Sequence, residues 1–276
     1  MKIILTLILI IIIILIYKAY KNTKDVTINK ITVANQPNNL KQSLSILHLS
    51  DIHVEHISIT PEQLATKLKN ESFDIIALTG DFLDRKRSIP KLAPYLDVLQ
   101  HLHPKYGIYA VFGNHDYVLH DTDLHELKML LETYGCHVLQ NASETITINE
   151  SKVNIIGIDD YSTNRSNIPL AFQHVKNGTN IILTHDPTVV LDMDSYKFDY
   201  LMAGHFHGGQ ICYPKAYHLA KMGKLARQHI IKGLHKQNDM PYYISEGLGQ
   251  TGLNIRIGSR PEITFHRITT QSESSL

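Results

Sequence analysis

The chain has 276 residues, of which 43% are hydrophobic and 19% charged, and its net charge is +1. This length and composition indicate one large globular domain with a sizeable core. They exclude a small module held by many disulfides, because only Cys136 and Cys212 occur, although a single bridge between them is left open. The near-neutral charge argues against a dedicated nucleic-acid partner, which needs a basic surface.

The N-terminus carries a separate signal. Residues 3–17 are apolar except for Thr6, and the run extends to Tyr20 if the amine of Lys18 reaches the membrane surface. This approaches the roughly 20 residues that cross a bilayer as a helix. A core helix is the alternative, but an isoleucine-rich run without a polar face suits lipid better.

The segment after this run, "YKAYKNTK", lacks the pair of small residues that a signal-peptidase site requires. We therefore predict that residues 1–24 are a membrane anchor and short linker in the cell membrane. The lysines on the two sides differ by one charge once the terminal amine is counted, and this slightly favours a cytoplasmic domain.

No repeat, charge run or Gly/Ser linker divides the remainder. Residues 25–270 are predicted to form one domain, and residues 271–276 a disordered tail. Alternation from Val26 to Val33 indicates an edge strand at the start of the domain.

Eight further apolar runs are predicted to be strands, several of them apolar on both faces. They cover residues 44–50, 73–80, 107–113, 153–159, 179–185, 198–204, 242–245 and 262–268. Helical signals lie at Thr60-Pro61, in 89–101 and 121–134, and after Asp186. The alternation predicts an α/β fold, and the closely spaced strands after residue 137 indicate a second, partly antiparallel sheet.

Five predicted strands end in residue types that bind metals. These residues are Asp51 and His53, then Asp81, then Asn114 with His115 and Asp116, then His185, and finally His205 with His207. Ligands of open α/β sheets bind outside the carboxyl ends of the strands. If these ends converge, they place three carboxylates, one amide and five imidazoles in one crevice.

Each of these residues alone has an ordinary explanation as a cap, a turn residue or a packed histidine. Together they do not, because burying them costs on the order of several kcal/mol per group unless a metal pairs them. Nitrogen and oxygen ligands without thiolates suit iron, manganese or zinc.

The ordered blocks "SDIH", "TGD", "GNHD", "LTHD" and "GHFHGGQ" resemble the calcineurin-like metallophosphoesterase superfamily. Residues 242–268 also resemble the C-terminal block of a bacterial membrane-associated branch, similar to phosphodiesterases and UDP-diacylglucosamine pyrophosphatases. The resemblance implies a four-layer α-β-β-α sandwich of two mixed sheets, here with an N-terminal transmembrane helix.

The resemblance also implies a ligand set for two divalent ions, which would be Mn²⁺, Fe²⁺ or Zn²⁺. In it Asp51, His53 and His207 bind the first ion, Asn114, His185 and His205 bind the second, and Asp81 bridges them.

In the same pattern His115 binds no metal. It faces the substrate and is oriented by the neighbouring carboxylate, here that of Asp116.

Four residues are weaker candidates for substrate contacts. They are Arg256, Arg260, Tyr213 and His218. Arginine side chains suit a phosphate group, but exposed rim residues explain the two arginines as well.

The resulting hypothesis is a membrane-anchored phosphohydrolase that cleaves a phosphodiester or pyrophosphate bond with metal-activated hydroxide. The anchor points to a lipid-linked or envelope precursor as the phosphoester substrate. A soluble-nucleotide phosphodiesterase and a non-catalytic protein-binding scaffold on the same fold remain alternatives.

Overall fold

Two six-stranded mixed sheets pack face to face, and helices cover both outer surfaces. The computed structural model describes residues 2–34 and 40–269, so the tail predicted at 271–276 lies outside the described residues. The strands are β1 (Thr27–Ala34), β2 (Leu44–Leu49), β3 (Ile75–Thr79), β4 (Ile108–Val111), β5 (Cys136–Val138), β6 (Ala142–Ile148), β7 (Ser151–Gly157), β8 (Thr179–Leu183), β9 (Tyr200–Ala203), β10 (Gly233–Gln237), β11 (Met240–Ile244) and β12 (Glu262–Thr269).

The helices fall between these strands. The α-helices are α1 (Lys2–Asn22), α2 (Pro61–Leu68), α3 (Ile89–Gln100), α4 (Asp121–Thr133), α5 (Ile168–Ala171) and α6 (Lys224–Arg227). Short 3₁₀ helices are Lys86–Ser88, Asp116–Val118, Pro187–Asp192, His207–Gly209 and Tyr217–Met222. Thr60 caps α2 through a reciprocal capping box with Gln63, as the Thr-Pro signal predicted.

The first sheet has the order β1-β12-β2-β3-β4-β5, and the second β10-β11-β9-β8-β7-β6. Strands β2 to β5 run parallel, as do β7, β8, β9 and β11, while β6 and β10 pair antiparallel at the two edges of the second sheet. The parallel centre explains why β3, "IIALT", is buried along its whole length.

The core has three apolar layers. Ile46 and Tyr109 of the first sheet share one cluster with Ile155 and Tyr200 of the second. A second cluster joins the first sheet to α2, α3 and α4, and a third joins the second sheet to the helices on its outer face. The predicted α-β-β-α sandwich is therefore confirmed.

Strands β5, β6 and β10 were missed by the sequence analysis. They are short or half-exposed edge strands, and β10, "GLHKQ", offers little apolar pattern to detect. Edge strands bury only part of one face, which weakens their periodicity.

Helix α1 is long and apolar enough to cross a membrane, and it buries only Ala19. Its last turn is attached to the domain. The amide of Arg256 donates to the carbonyl of Ala19 at 2.9 Å, and the side-chain amide of Asn22 donates to the carbonyl of Arg256 at 2.8 Å.

Candidate metal centre

The carboxyl ends of β2, β3, β4, β8 and β9 converge at one edge of the sandwich. Every predicted ligand follows one of these strands, and the structure brings all seven together. Six are buried, and Asn114 is half-buried.

One group of donor atoms belongs to Asp51, His53, Asp81 and His207. These atoms all lie within 4.8 Å of one another. Nε2 of His53 lies 3.4 Å from Oδ2 of Asp81, and Nε2 of His207 lies 3.4 Å from Oδ1 of Asp51.

A second group adjoins the first through Asp81. Oδ2 of Asp81 lies 3.1 Å from Nε2 of His185, which in turn lies 3.1 Å from Nδ1 of His205. The same carboxylate oxygen of Asp81 thus faces a histidine of each group.

Several buried polar atoms of these groups lack a hydrogen bond within the described residues. They are Nε2 of His53, both ring nitrogens of His207 and Oδ1 of Asn114. Unpaired buried polar atoms are rare because their desolvation is uncompensated. Nitrogen and oxygen donors that converge without partners fit divalent metal ions.

The backbone is strained where these side chains are presented. Positive φ angles occur at Asp51, His53, Asp81, His205 and His207. Such conformations cost on the order of 1–3 kcal/mol each for residues other than glycine and tend to cluster at functional sites. These backbone conformations therefore lower the stability of the fold but orient the donor side chains toward one another.

Two glycines let the backbone approach the centre. A Cβ at Gly204 would lie 1.9 Å from Oγ of Ser50 and 2.1 Å from Oδ2 of Asp51. At Gly208, φ is 58° and a Cβ would lie 2.2 Å from the Glu246 carboxylate. A side chain at either position would displace the groups that surround the donors.

Comparison with known proteins identifies the family. The model of the calcineurin-like phosphoesterase family matches residues 44–209. The chain is 59% identical over 268 residues to the uncharacterized metallophosphoesterase YkoQ of Bacillus subtilis (strain 168), covering 96% of this chain and 99% of YkoQ. It is 26% identical over 223 residues to phosphodiesterase YaeI of Escherichia coli (strain K12), covering 80% of each.

The chain belongs to the calcineurin-like phosphoesterase family. It is accordingly a metal-dependent phosphoester hydrolase, and its buried His/Asp cluster is suited to divalent metals. The homologues named metallophosphoesterase or phosphodiesterase and the intact donor cluster argue against the non-catalytic scaffold considered from the sequence.

Two histidines of this phosphoesterase have pKa values shifted in opposite directions. Burial lowers the pKa of His207 to about 3, so its ring is neutral at pH 7 and offers a lone pair. Burial also opposes charge on His53, but the nearby carboxylates of Asp81 and Asp84 outweigh it and raise the pKa to about 10. A cation at Nε2 of His53 would displace that proton.

The orientation assigned to His115 requires a correction. The carboxylate of Asp116 does not hold the His115 ring, because it accepts the backbone N–H groups of Asp81, Phe82 and Gly113, each at 2.9 Å. Nδ1 of His115 instead lies 2.9 Å from Oδ1 of Asp84.

Asp84 was missed by the sequence analysis. Its Oδ1 also lies 3.0 Å from Nδ1 of His53, so one carboxylate contacts two histidines of the site. The signal was present, because Asp84 follows the strand-end residue Asp81 by three positions in the turn "GDFLD".

The two arginines predicted to contact substrate do not reach the site. Arg256 is buried, and its guanidinium donates to five main-chain carbonyls, those of His207, Glu246, Gly247, Gly249 and Arg260. Arg260 donates to the carboxylate of Asp25 at 3.2 Å. Arg256 therefore fixes the loops around the centre, and Arg260 is paired with Asp25 between α1 and β1.

A cavity of about 320 Å³ opens above the centre. Its floor includes Asp81, Asn114, His115, His205 and His207. One wall is residues 218–222, which contain His218, and the facing wall contains Thr251 and Leu253. Of the two remaining substrate candidates, His218 lines the cavity, whereas Tyr213 is outside its lining and strongly exposed.

Proposed function

We propose that this phosphoesterase is anchored in the membrane by α1 and uses two divalent ions to cleave a phosphodiester or pyrophosphate bond of a lipid-linked substrate. The observation that carries the proposal is the position of Asp81. One oxygen of its carboxylate faces both donor groups at the floor of an open cavity.

The ligands divide around this carboxylate. Asp51, His53 and His207 would hold one ion, Asn114, His185 and His205 the other, and Asp81 both. When bound, such a pair of ions offsets phosphoryl charge and lowers the pKa of water.

The chain's own residues supply orientation and a proton. His115 is half-exposed on the cavity floor, where it can reach a substrate that the buried ligands cannot. Burial opposes its charged form, but the carboxylate of Asp84 outweighs this and raises the pKa of His115. His115 would donate a proton to the departing oxygen as a general acid.

Support for the type of bond and for the membrane comes from two sources. The relative YaeI is named a phosphodiesterase. Helix α1 exposes nearly all of its apolar side chains, which a helix in the core of a soluble protein would bury. A substrate with a lipid tail would meet the enzyme in the bilayer.

The test uses the purified full chain in detergent with added Mn²⁺. We expect hydrolysis of bis(p-nitrophenyl) phosphate by the wild type, a large loss in His115→Ala with metal retained, and loss of metal and activity in Asp81→Asn. Equal turnover by His115→Ala and wild type would contradict the role of His115.

The substrate class needs a cellular test. In cells that carry Asp81→Asn in place of the wild type, we expect a phosphorylated lipid to accumulate in the membrane fraction. Accumulation of a soluble nucleotide instead would overturn the lipid-linked substrate and support the alternative, while leaving the reaction class intact.

A further inference from the structure

The end of α1 is joined directly to one wall of the cavity. The carbonyl of Ala19 accepts from the amide of Arg256, and the loop that contains Arg256 carries Leu253 in the cavity wall. Ala19 follows Tyr17, the end of the apolar run, by two residues, or about 3 Å along a helix. This wall therefore lies at the level where the apolar part of α1 ends.

The start of the segment that leads to the facing wall is bonded to the same loop. Ile211 forms a parallel β-bridge with Ile257, next to Arg256. The side-chain amide of Gln210 donates to the carbonyls of Thr251 and Leu253 at 2.8 and 2.9 Å. The end of α1, the loop at 251–257 and residues 210–211 are thus connected.

The rim of these walls carries exposed apolar side chains. Outside α1, four large apolar residues of the described chain are more than half exposed, and three belong to the segments 211–222 and 251–256. They are Tyr213 (82% exposed), Leu253 (68%) and Tyr217 (61%), and the fourth, Val118 (71%), follows the cavity residue His115 by three positions. Tyrosine with apolar neighbours is typical of surfaces that meet the membrane–water interface.

The segments around the rim and at the end of α1 carry basic but no acidic side chains. Residues 17–24, 211–229 and 247–261 contain no Asp or Glu, although the whole chain has a net charge of only +1. Their exposed cations are Lys18, Lys21, Lys24, Lys215, Lys221, Lys224 and Arg227, whereas Arg256 is buried and Arg260 is paired with Asp25. Lysine and arginine near a bilayer are attracted to anionic headgroups, by roughly 1 kcal/mol each.

We propose that the cavity rim, formed by residues 211–222 and 251–256, rests on the anionic headgroup layer of the bilayer that α1 crosses. The inference depends on the proposed membrane anchor and goes beyond it, because an anchor on a flexible linker would leave the cavity free to face any direction. Here the end of α1 is hydrogen-bonded to the loop that carries Leu253 of the cavity wall, which limits the directions that the cavity can face.

The absence of tryptophan from the sequence allows a direct test, since each introduced tryptophan is the only one in the chain. The full chain is reconstituted in vesicles of phosphatidylethanolamine and phosphatidylglycerol, with and without bromine on the acyl chains near the headgroups. The variants are Tyr213→Trp and Leu253→Trp at the rim and Ile12→Trp in α1. Met129→Trp is the exposed control on α4, which packs on β5, at the sheet edge opposite β1.

We expect brominated lipid to quench both rim variants and Ile12→Trp, and to leave Met129→Trp unchanged. Quenching of Ile12→Trp without quenching at the rim would overturn the docked rim and leave the membrane anchor standing. Loss of quenching in Ile12→Trp as well would refute the anchor itself and the inference with it. Equal quenching of Met129→Trp would show that contact with lipid is not specific to the rim and would overturn the inference.

Discussion

The ring of His115 is held by the carboxylate of Asp84, with 2.9 Å between Nδ1 and Oδ1. Because Nδ1 of His115 faces a carboxylate, the ring is fixed in one orientation and its charged form is stabilised. The pair gives the proposed general acid a positioning residue that lies far from His115 in the chain, three positions after the predicted ligand Asp81.

Asp84→Asn should lower kcat by roughly 10²- to 10³-fold, because the amide no longer stabilises the His115 imidazolium. The measurement is turnover of bis(p-nitrophenyl) phosphate at saturating Mn²⁺, together with the metal content of the protein. Saturation matters because Asp84 also contacts His53. Unchanged kcat in a fully loaded protein would contradict the positioning role.

Asp116→Asn should lower the free energy of unfolding, in contrast to the effect of Asp84→Asn on kcat. Its carboxylate accepts four buried backbone N–H groups, and an amide has only one oxygen to replace two. We expect a loss of about 1–3 kcal/mol in the free energy of unfolding, measured by urea denaturation of the detergent-solubilised chain. Wild-type stability combined with the kinetic defect of Asp84→Asn would restore Asp116 as the orienting residue.

His205→Ala and His207→Ala should remove different ions. His205 lies beside His185, whereas His207 lies beside Asp51 and His53, so each substitution removes a donor from one group. Metal analysis under limiting Mn²⁺ should show about one ion lost in each variant, and spectroscopy of Co²⁺-loaded protein should distinguish the remaining sites. Full retention of both ions in either variant would refute the ligand assignment.

Arg256→Met and Arg260→Met are a matched pair of variants that test the two arginines found not to reach the site. Removing the buried guanidinium of Arg256 leaves five carbonyls without their donor, and we expect a loss of roughly 3–5 kcal/mol in unfolding free energy. Arg260, paired with Asp25 on the surface, should cost less than about 1 kcal/mol. A raised KM in a fully stable Arg256→Met protein would instead indicate a substrate contact.

Acid should destabilise the protein through two histidines between the sheets. Burial lowers the pKa of His48 to about 3 and the pKa of His266 well below its usual value, and the two rings lie 3.2 Å apart, from Nδ1 to Nε2. Both are neutral in the folded state but take up protons near pH 6.5 when unfolded, so stability falls as the pH drops below about 6.5.

The expected slope is up to about 1.4 kcal/mol per pH unit for each histidine. Urea unfolding between pH 7.5 and 5 measures it, and His266→Gln should reduce the slope while keeping a polar side chain for Tyr200 and His48. A slope equal to that of the wild type would show that His266 does not contribute.

The sequence by itself determined the central strands, the residue types at their ends and the apolar N-terminal helix. Asp51, Asp81 and His185 each follow a run of buried residues, and parallel strands bring their carboxyl ends to one edge whatever the details of packing. The Thr60 cap was equally visible, because a capping box involves residues only three positions apart.

Only the tertiary structure decided which carboxylate orients the ring of His115 and which groups bind the guanidinium of Arg256. Asp116 is next to His115 in the chain, but its side chain turns toward the N–H groups of the tight turn after β3, which would otherwise be buried without acceptors. Arg256 looked like an exposed cation until the loops it joins were in place around it. Such roles depend on side-chain direction and on partners far away in the chain, and no local pattern encodes either.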